Sequence, residues 1–203
     1  MKPMSEHQPS KQADLARFNA LAPVWDNGGE ALAQAQRTLS FLGFRDGQSL
    51  LDVAAGSGVI LAALHSLGLA PGRYLAVDIS APMLEALLRS FPEAESQCAD
   101  FEQPFQTPAA FDHVLLYNSI PHFSDLAAVF ANAQRNLLPG GSFMIAHSRT
   151  REGLREHHRR IGHNPQREPI PPDAELARLA AEHGFTAAIS ADEGFFRFAC
   201  IRL

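Results

Sequence analysis

The chain has 203 residues, 46% of them hydrophobic and 19% charged. That is ample for one domain with a substantial core, short for two, and too apolar for a disordered chain. The formal net charge of −5 excludes a generally basic nucleic-acid-binding surface, though not a local basic patch.

Residues 1–12 are polar, contain Pro3 and Pro9 and lack the apolar stretch of a signal peptide, so a flexible leader is expected there. A single domain should occupy 13–203. Ala13 to Phe41 reads as helical, with breaks at Ala22-Pro23 and at Asn27-Gly28-Gly29; apolar or small residues at Ala31, Leu32, Ala35, Leu39 and Leu42 keep helical spacing. This N-terminal part, 13–45, is expected to cap the domain. Ser49 to Ala54 is a continuous apolar run that suits a strand buried on both faces. Ser57 to Leu67 is helical and stops at Gly68. Arg73 to Ile79 is a second strand. Ser80 caps the next helix, which ends before Pro92. Glu95 to Ala99 and Phe111 to Asn118 are further strands. Ser124 to Leu138 is a helix, stopped by Pro139-Gly140-Gly141, and Ser142 to His147 a fifth strand.

After His147 the pattern changes. Ser148 to Pro172 is polar, rich in Arg and His, and is expected to form a lid; Asp173 to His183 is helical. Thr186 to Ser190 and Phe195 to Ile201 read as an antiparallel pair joined by Asp192-Glu193-Gly194. Strands alternating with helices predict an α/β, Rossmann-like fold: a seven-stranded, mostly parallel sheet with an antiparallel last strand and helices on both faces. Ligands of such sheets bind at the rim of C-terminal strand ends, where the strand order reverses. The two cysteines, Cys98 and Cys200, lie in apolar strand-like runs and are expected as buried free thiols, not as a disulfide or a zinc site. No apolar run approaches the ~20 residues that span a bilayer, so a cytoplasmic protein without membrane association is expected.

Three motifs fall on that rim. Asp52-Val53-Ala54-Ala55-Gly56-Ser57-Gly58 follows a buried strand and opens a helix, where glycines allow close ligand approach and free N–H groups collect. Alone it is any Rossmann-type turn. Asp78 ends the second strand about 20 residues later, where a carboxylate accepts hydrogen bonds from vicinal ribose hydroxyls or caps a helix. Asp100-Phe101, after the third strand, pairs an acid for an adenine amino group with an apolar ring.

This succession, together with Ser80-Ala81-Pro82-Met83-Leu84 and the upstream Phe18-Asn19-Ala20-Leu21-Ala22-Pro23-Val24-Trp25-Asp26, resembles class I S-adenosylmethionine-dependent methyltransferases. It is most similar to the branch of the ubiquinone and menaquinone C-methyltransferases, over roughly residues 15 to 150. Two positions depart from that pattern: Ala54 stands where the first glycine of G-x-G-x-G is usual, and Trp25-Asp26 where Tyr-Asp is usual. The resemblance implies S-adenosylmethionine as methyl donor and S-adenosylhomocysteine as product. It also implies that Ala54, Gly56 and Gly58 pass close to the methionine and ribose, that Asp52 orients the methionine amino group through its neighbours, and that Asp78 holds the ribose. Ile79, Met83, Asp100 and Phe101 would surround the adenine, and Trp25 would cover the cofactor. A nicotinamide-dependent oxidoreductase, the nearest competitor, would need G-x-G-x-x-G, and no third glycine follows Gly58.

The methyl acceptor is expected to be a small molecule, neither nucleic acid nor membrane; nothing bears on oligomeric state. The fourth strand runs into Asn118-Ser119-Ile120-Pro121-His122. Asn118 suits the cofactor's amino end. His122, and His147 at the end of the fifth strand, are candidate catalytic bases, since imidazole suits proton transfer near neutrality. Arg151, Arg155 and His158 share one helical face, in a segment with six arginines against three glutamates between Arg149 and Glu168. They form either a solvated lid or a substrate-binding cap for an anionic acceptor. Two alternatives stand beside this reading. One is a metal-assisted enzyme in which His122, His147 and His157 or His158 converge on an ion, although no metal is expected. The other is a non-catalytic cofactor-binding or regulatory module.

Overall fold

The computed structural model of the chain describes residues 11–25, 28–160, 162 and 168–203. Seven strands form one sheet in the order β3-β2-β1-β4-β5-β7-β6. They are β1 (Ser49–Val53), β2 (Arg73–Asp78), β3 (Glu95–Cys98), β4 (Phe111–Tyr117), β5 (Leu137–His147), β6 (Phe185–Glu193) and β7 (Phe195–Arg202). β1 to β5 pair in parallel, while β7 inserts antiparallel between β5 and β6. The order reverses between β1 and β4, so the crevice of this sheet opens where the loops after β1 and β4 diverge.

The helices are α1 (Lys11–Leu21), α2 (Gly29–Leu42), α3 (Val59–Ser66), α4 (Ala81–Ser90), α5 (Leu126–Asn136), α6 (Arg151–Arg160) and α7 (Asp173–Glu182). Because side chains alternate along a strand, β1 feeds two cores. Leu51 and Val53 pack with Val129 and Phe130 of α5 and with Leu154, Leu176 and Leu179 of α6 and α7. Leu50 packs on the opposite face with Leu39 of α2, Ile60 and Leu64 of α3 and Leu87 of α4. None of the described helices is long and apolar enough to cross a membrane.

Three features differ from expectation. Helix α1 begins at Lys11, so the last two residues assigned to the leader are helical; residues 1–10 lie outside the described residues. Helix α5 stops at Asn136, and Leu137 already pairs with Phe111, so β5 runs through the Pro-Gly-Gly segment to which the sequence assigned only a stop. Leu137 takes an extended backbone, φ −95° and ψ 150°, which ends the helix and starts the strand. Cys200 is buried but Cys98 is exposed, because β3 is a short edge strand covered on neither face.

Candidate active site

The turn after β1 holds three residues in the left-handed region: Ala54 at φ 56°, Gly56 at 55° and Gly58 at 91°. At Gly58 a side chain is excluded twice, by that φ and by Leu87, whose Cγ would lie 3.0 Å from an added Cβ. Ala54 adopts without glycine a conformation that costs L-residues roughly 1–2 kcal/mol. The turn is welded to the end of β2: Gly56 N–H donates to Asp78 Oδ2 and Ser80 N–H to Asp78 Oδ1, both at 2.8 Å. Burial pushes the Asp78 carboxyl up, and the Ser80 and Gly56 amides oppose it. Ser80 caps α4 by accepting from Met83 N–H and donates to Asn19 Oδ1 of α1 at 2.7 Å.

Beyond β3, Asp100 Oδ2 pairs with the Lys11 ammonium at 2.5 Å, and Lys11 also reaches Glu102. Glu102 accepts from Ser124 N–H and Oγ–H. From beneath, Asn132 of α5 donates to the carbonyls of Phe101 and Gln103 at 2.8 and 2.7 Å and accepts from Phe105 N–H; Asn136 donates to Phe105 O and accepts from Thr107 N–H. This buried amide pair fixes the loop that carries Asp100 and Phe101.

At the end of β4, Asn118 also takes a positive φ, 56°, and its Oδ1 accepts from Ser148 N–H at 2.6 Å. Ser119 Oγ is buried and has no hydrogen-bond partner among the described residues. His122 follows in a short 3₁₀ turn. Its Nδ1 lies 3.1 Å from Asp14 Oδ2 of α1, and the Phe18 ring stands edge-on to the imidazole at 4.9 Å.

These pieces enclose a cavity of about 280 Å³. Of the residues expected at a cofactor site, Trp25, Ala54, Gly56, Asp78, Ile79, Met83, Asp100, Phe101 and Asn118 line it, together with His122. Asp26 lies outside the described residues. Asp52 and Gly58 stand behind the wall. Asp52 is buried against Tyr74, whose hydroxyl donates to it at 2.7 Å, and burial lifts its pKa to about 7. Lys11, Asp14, Phe18, Glu102 and Ser119, to none of which the sequence assigned a site role, also line the cavity. Among the described lining residues, four carboxylates, Asp14, Asp78, Asp100 and Glu102, therefore face it against the ammonium of Lys11.

The remaining candidates lie elsewhere. His147 is buried beside the cavity rather than in its wall; its Nδ1 accepts from Arg149 N–H at 3.0 Å, and burial, then the Arg149 charge, push its pKa down to about 4. It is therefore a neutral ring at neutral pH with its proton on Nε2, and its lone pair, on Nδ1, is already taken up by Arg149 N–H, which leaves it poorly suited to act as the base. Arg151 binds Pro171 O and Asp173, pairs with Asp192 and covers the Phe196 ring at 4.5 Å. Arg155 is engaged by Glu152 and Glu168. Both arginines thus tie α6 to its neighbours, and neither they nor His158 line the cavity. Among the described residues, no three His, Cys, Asp or Glu side chains are grouped to hold a metal ion, which leaves the converging-histidine alternative without a site.

Residues 51–145 match a family model described as a methyltransferase domain. The chain is 33% identical over 132 residues to nocamycin O-methyltransferase of Saccharothrix syringae, covering 61% of this chain and 47% of that protein. It spans less than half the length of the curated relatives it matches. Among solved structures, the magnesium protoporphyrin IX methyltransferase of Synechocystis PCC 6803 with bound SAM superposes at a TM-score of 0.68, with 12% identity over 98% of this chain and 100% of that one. Haemonchus contortus phosphoethanolamine N-methyltransferase 2, in complex with phosphomonomethylethanolamine and S-adenosylhomocysteine, superposes at 0.70, with 16% identity over 96% of this chain and 58% of that one. The sheet order and these likenesses give the chain the class I methyltransferase fold.

Proposed function

We propose that this chain, built on a class I methyltransferase fold, transfers a methyl group from S-adenosylmethionine to a small organic acceptor. The observation that carries the reading is the fused unit of glycine turn and Asp78 at the switch point of the sheet, with Asp100 on the same cavity wall. The residues fit the cofactor. Asp78 offers oxygens to two ribose hydroxyls, Asp100 to an adenine amino group, and Ile79, Met83 and Phe101 supply apolar walls for a purine. At the other end the buried, unpartnered Ser119 Oγ and the Asn118 side chain suit the polar methionine tail. When bound, the cofactor supplies an electrophilic methyl group on a positively charged sulfur. An excess of carboxylates over cations around the cavity favours such a cation.

Alignment and water exclusion fall to the protein. Trp25 and Phe18 roof the cavity, and α1 and α2, from Lys11 to Leu42, act as its cap. The 148–172 segment buttresses the rim through Ser148 and Arg151. The arginines expected to recruit an anionic acceptor are spent on ion pairs, and an acid-lined cavity would repel one. The acceptor is therefore better read as uncharged. That a curated relative is a small-molecule O-methyltransferase supports this size class.

Calorimetry with S-adenosylhomocysteine tests the reading. Binding in the micromolar range is expected, weakened at least ~10-fold by Asp78→Ala, in line with loss of hydrogen bonds worth about 1.4 kcal/mol or more. A folded protein with no detectable binding would refute it. Transfer of labelled methyl groups to small molecules, and not to macromolecules, of a cell extract tests the acceptor class.

A further inference from the structure

We infer that Asp14 and His122 form a base divided between the cap and the rim, and that the acceptor is an uncharged, apolar-bodied molecule carrying an acidic hydroxyl of the phenol or enol type. The inference rests on the methyl-transfer reading above and specifies its acceptor.

Asp14 lies on α1 and His122 in the 3₁₀ turn (Ile120–His122) after β4, 108 positions apart, and the two meet at the cavity wall with their side chains 21% and 36% exposed. A carboxylate only accepts hydrogen bonds, so the nitrogen facing it, Nδ1, carries the proton. Nε2 then holds the lone pair and is the nitrogen that can take a proton. The arrangement is that of an acid orienting an imidazole, the tautomer fixed by the carboxylate. Phe18 packs edge-on to the ring and limits its rotation. Lys11, Asp100 and Glu102 line the same cavity, and His147 at the end of β5 lies near enough to interact electrostatically with His122. His147 is neutral at neutral pH, so Asp14 is the anion that sets the ring's orientation.

The chemistry of the cavity selects the acceptor. Its apolar lining includes Phe18, which packs against His122, and Leu15, Trp25 and Phe123, which suit a flat apolar body. Among the described residues that line it, none is an arginine that could hold an anion. An imidazole assists loss of a phenolic or enolic proton, whereas an aliphatic alcohol holds its proton far more tightly. In the transfer, the acceptor oxygen bonds to the methyl carbon as the carbon–sulfur bond breaks, with its electron pair remaining on sulfur. The hydroxyl proton passes to His122 Nε2 and then to solvent. Asp14 touches neither reactant; it is a positioning residue. Because it rides on α1, the base is complete only when the cap is closed.

The test is a set of substituted phenols from weakly acidic (4-methoxyphenol) to strongly acidic (4-nitrophenol), assayed for methyl transfer at a pH low enough to keep them largely neutral, with wild-type protein, His122→Gln and Asp14→Asn. General-base catalysis predicts that His122→Gln loses ~10²-fold or more in kcat with 4-methoxyphenol and far less with 4-nitrophenol. Asp14→Asn should lose about 10-fold in kcat with 4-methoxyphenol and far less with 4-nitrophenol, with KM little changed. S-adenosylhomocysteine affinity should fall by no more than a few-fold in either variant, well below the loss in kcat with 4-methoxyphenol; a fall as large as the loss in kcat would overturn the base role. Equal losses across the phenols, or none, would overturn the divided base. No transfer to any phenol, while S-adenosylhomocysteine still binds, would overturn the acceptor class alone. Failure of wild-type protein to bind S-adenosylhomocysteine would instead refute the methyl-transfer reading.

Discussion

Asp52→Asn should change how stability depends on pH, and the structure gives the sign and size. Asp52 is 1% exposed, and burial raises its pKa from 3.8 to about 7, against the hydrogen bond from Tyr74. The folded chain thus keeps this proton to about pH 7, whereas the unfolded chain releases it near pH 4. The group's contribution is full below about pH 4 and is lost as pH rises to about 7, at ~1.4 kcal/mol per unit, roughly 4 kcal/mol in all. His147 acts in the opposite sense. Its pKa falls from 6.5 to about 4, so its contribution is present above about 6.5 and is lost as pH falls through the same window, by roughly 3 kcal/mol. In the wild-type protein the two slopes nearly cancel between pH 4 and 6.5. Asn at 52 keeps an acceptor for Tyr74 O–H and cannot titrate, so the His147 slope is exposed. Urea unfolding in steps from pH 4 to 8 should show the stability of Asp52→Asn, relative to wild type, rising by about 4 kcal/mol across the range, with m unchanged. Parallel curves, differing by a constant, would refute the buried-acid argument.

Ala54→Gly should stabilise the protein by about 0.5–1 kcal/mol, since relief of the left-handed strain exceeds the added chain entropy; a lower Tm would contradict it. Gly58→Ala should cost about 2–4 kcal/mol in urea unfolding, and adding Leu87→Ala should not rescue it, because the φ of 91° remains; a cost under about 0.5 kcal/mol would count against both terms. Asn132→Ala strips partners from Phe101 O, Gln103 O and Phe105 N–H; it should lose about 2–4 kcal/mol and weaken S-adenosylhomocysteine binding, and unaltered binding would separate the loop from the cofactor site. In hydrogen exchange, amides of α1 should open at far lower cost than those of β1 and β4 and slow when S-adenosylhomocysteine binds; equal protection of α1 and the central strands would show a fixed cap.

What the sequence revealed was whatever depends on near neighbours. Alternating buried strands and helices predict the sheet, and the 22-residue separation of Gly56 and Asp78 places donor and acceptor in one hydrogen bond. What it hid depends on residues far apart in the chain. Lys11 read as part of a polar leader because nothing local reveals that Asp100 and Glu102 come to meet it. Asp14 was one acid on a helical stretch until the fold brought it to His122. The arginines after His147 read as a binding cap because composition cannot say which cations have internal partners; Arg151 and Arg155 do. Asn132 and Asn136 were polar positions in an amphipathic helix, and only their loop partners show why they are buried. Cys98 has a strand-like context, and its exposure follows from β3 lying at the sheet edge.

Helix α1 draws these threads together. It has no fully buried residue; its apolar side chains Leu15 and Phe18 are half-buried at the cavity, with Phe18 against Trp25 and His122. Its long-range polar contacts run from Lys11 to the acids after β3, from Asp14 to the turn after β4, and from Asn19 to Ser80 after β2. Half-exposed ion pairs and single hydrogen bonds contribute roughly 1 kcal/mol or less each, so the cap is held by a few kcal/mol in total. That is enough to keep it closed most of the time and little enough to let ligands the size of the cofactor enter and leave. Each contact ends on a different loop of the cavity, so displacement of any one loop weakens the hold of the cap. A closed cap brings Asp14 to His122, and an open one leaves the imidazole without its orienting acid. On the proposed reading, closure, exclusion of water and assembly of the base would be one event, and a competent base would be confined to the time when the cavity is shut.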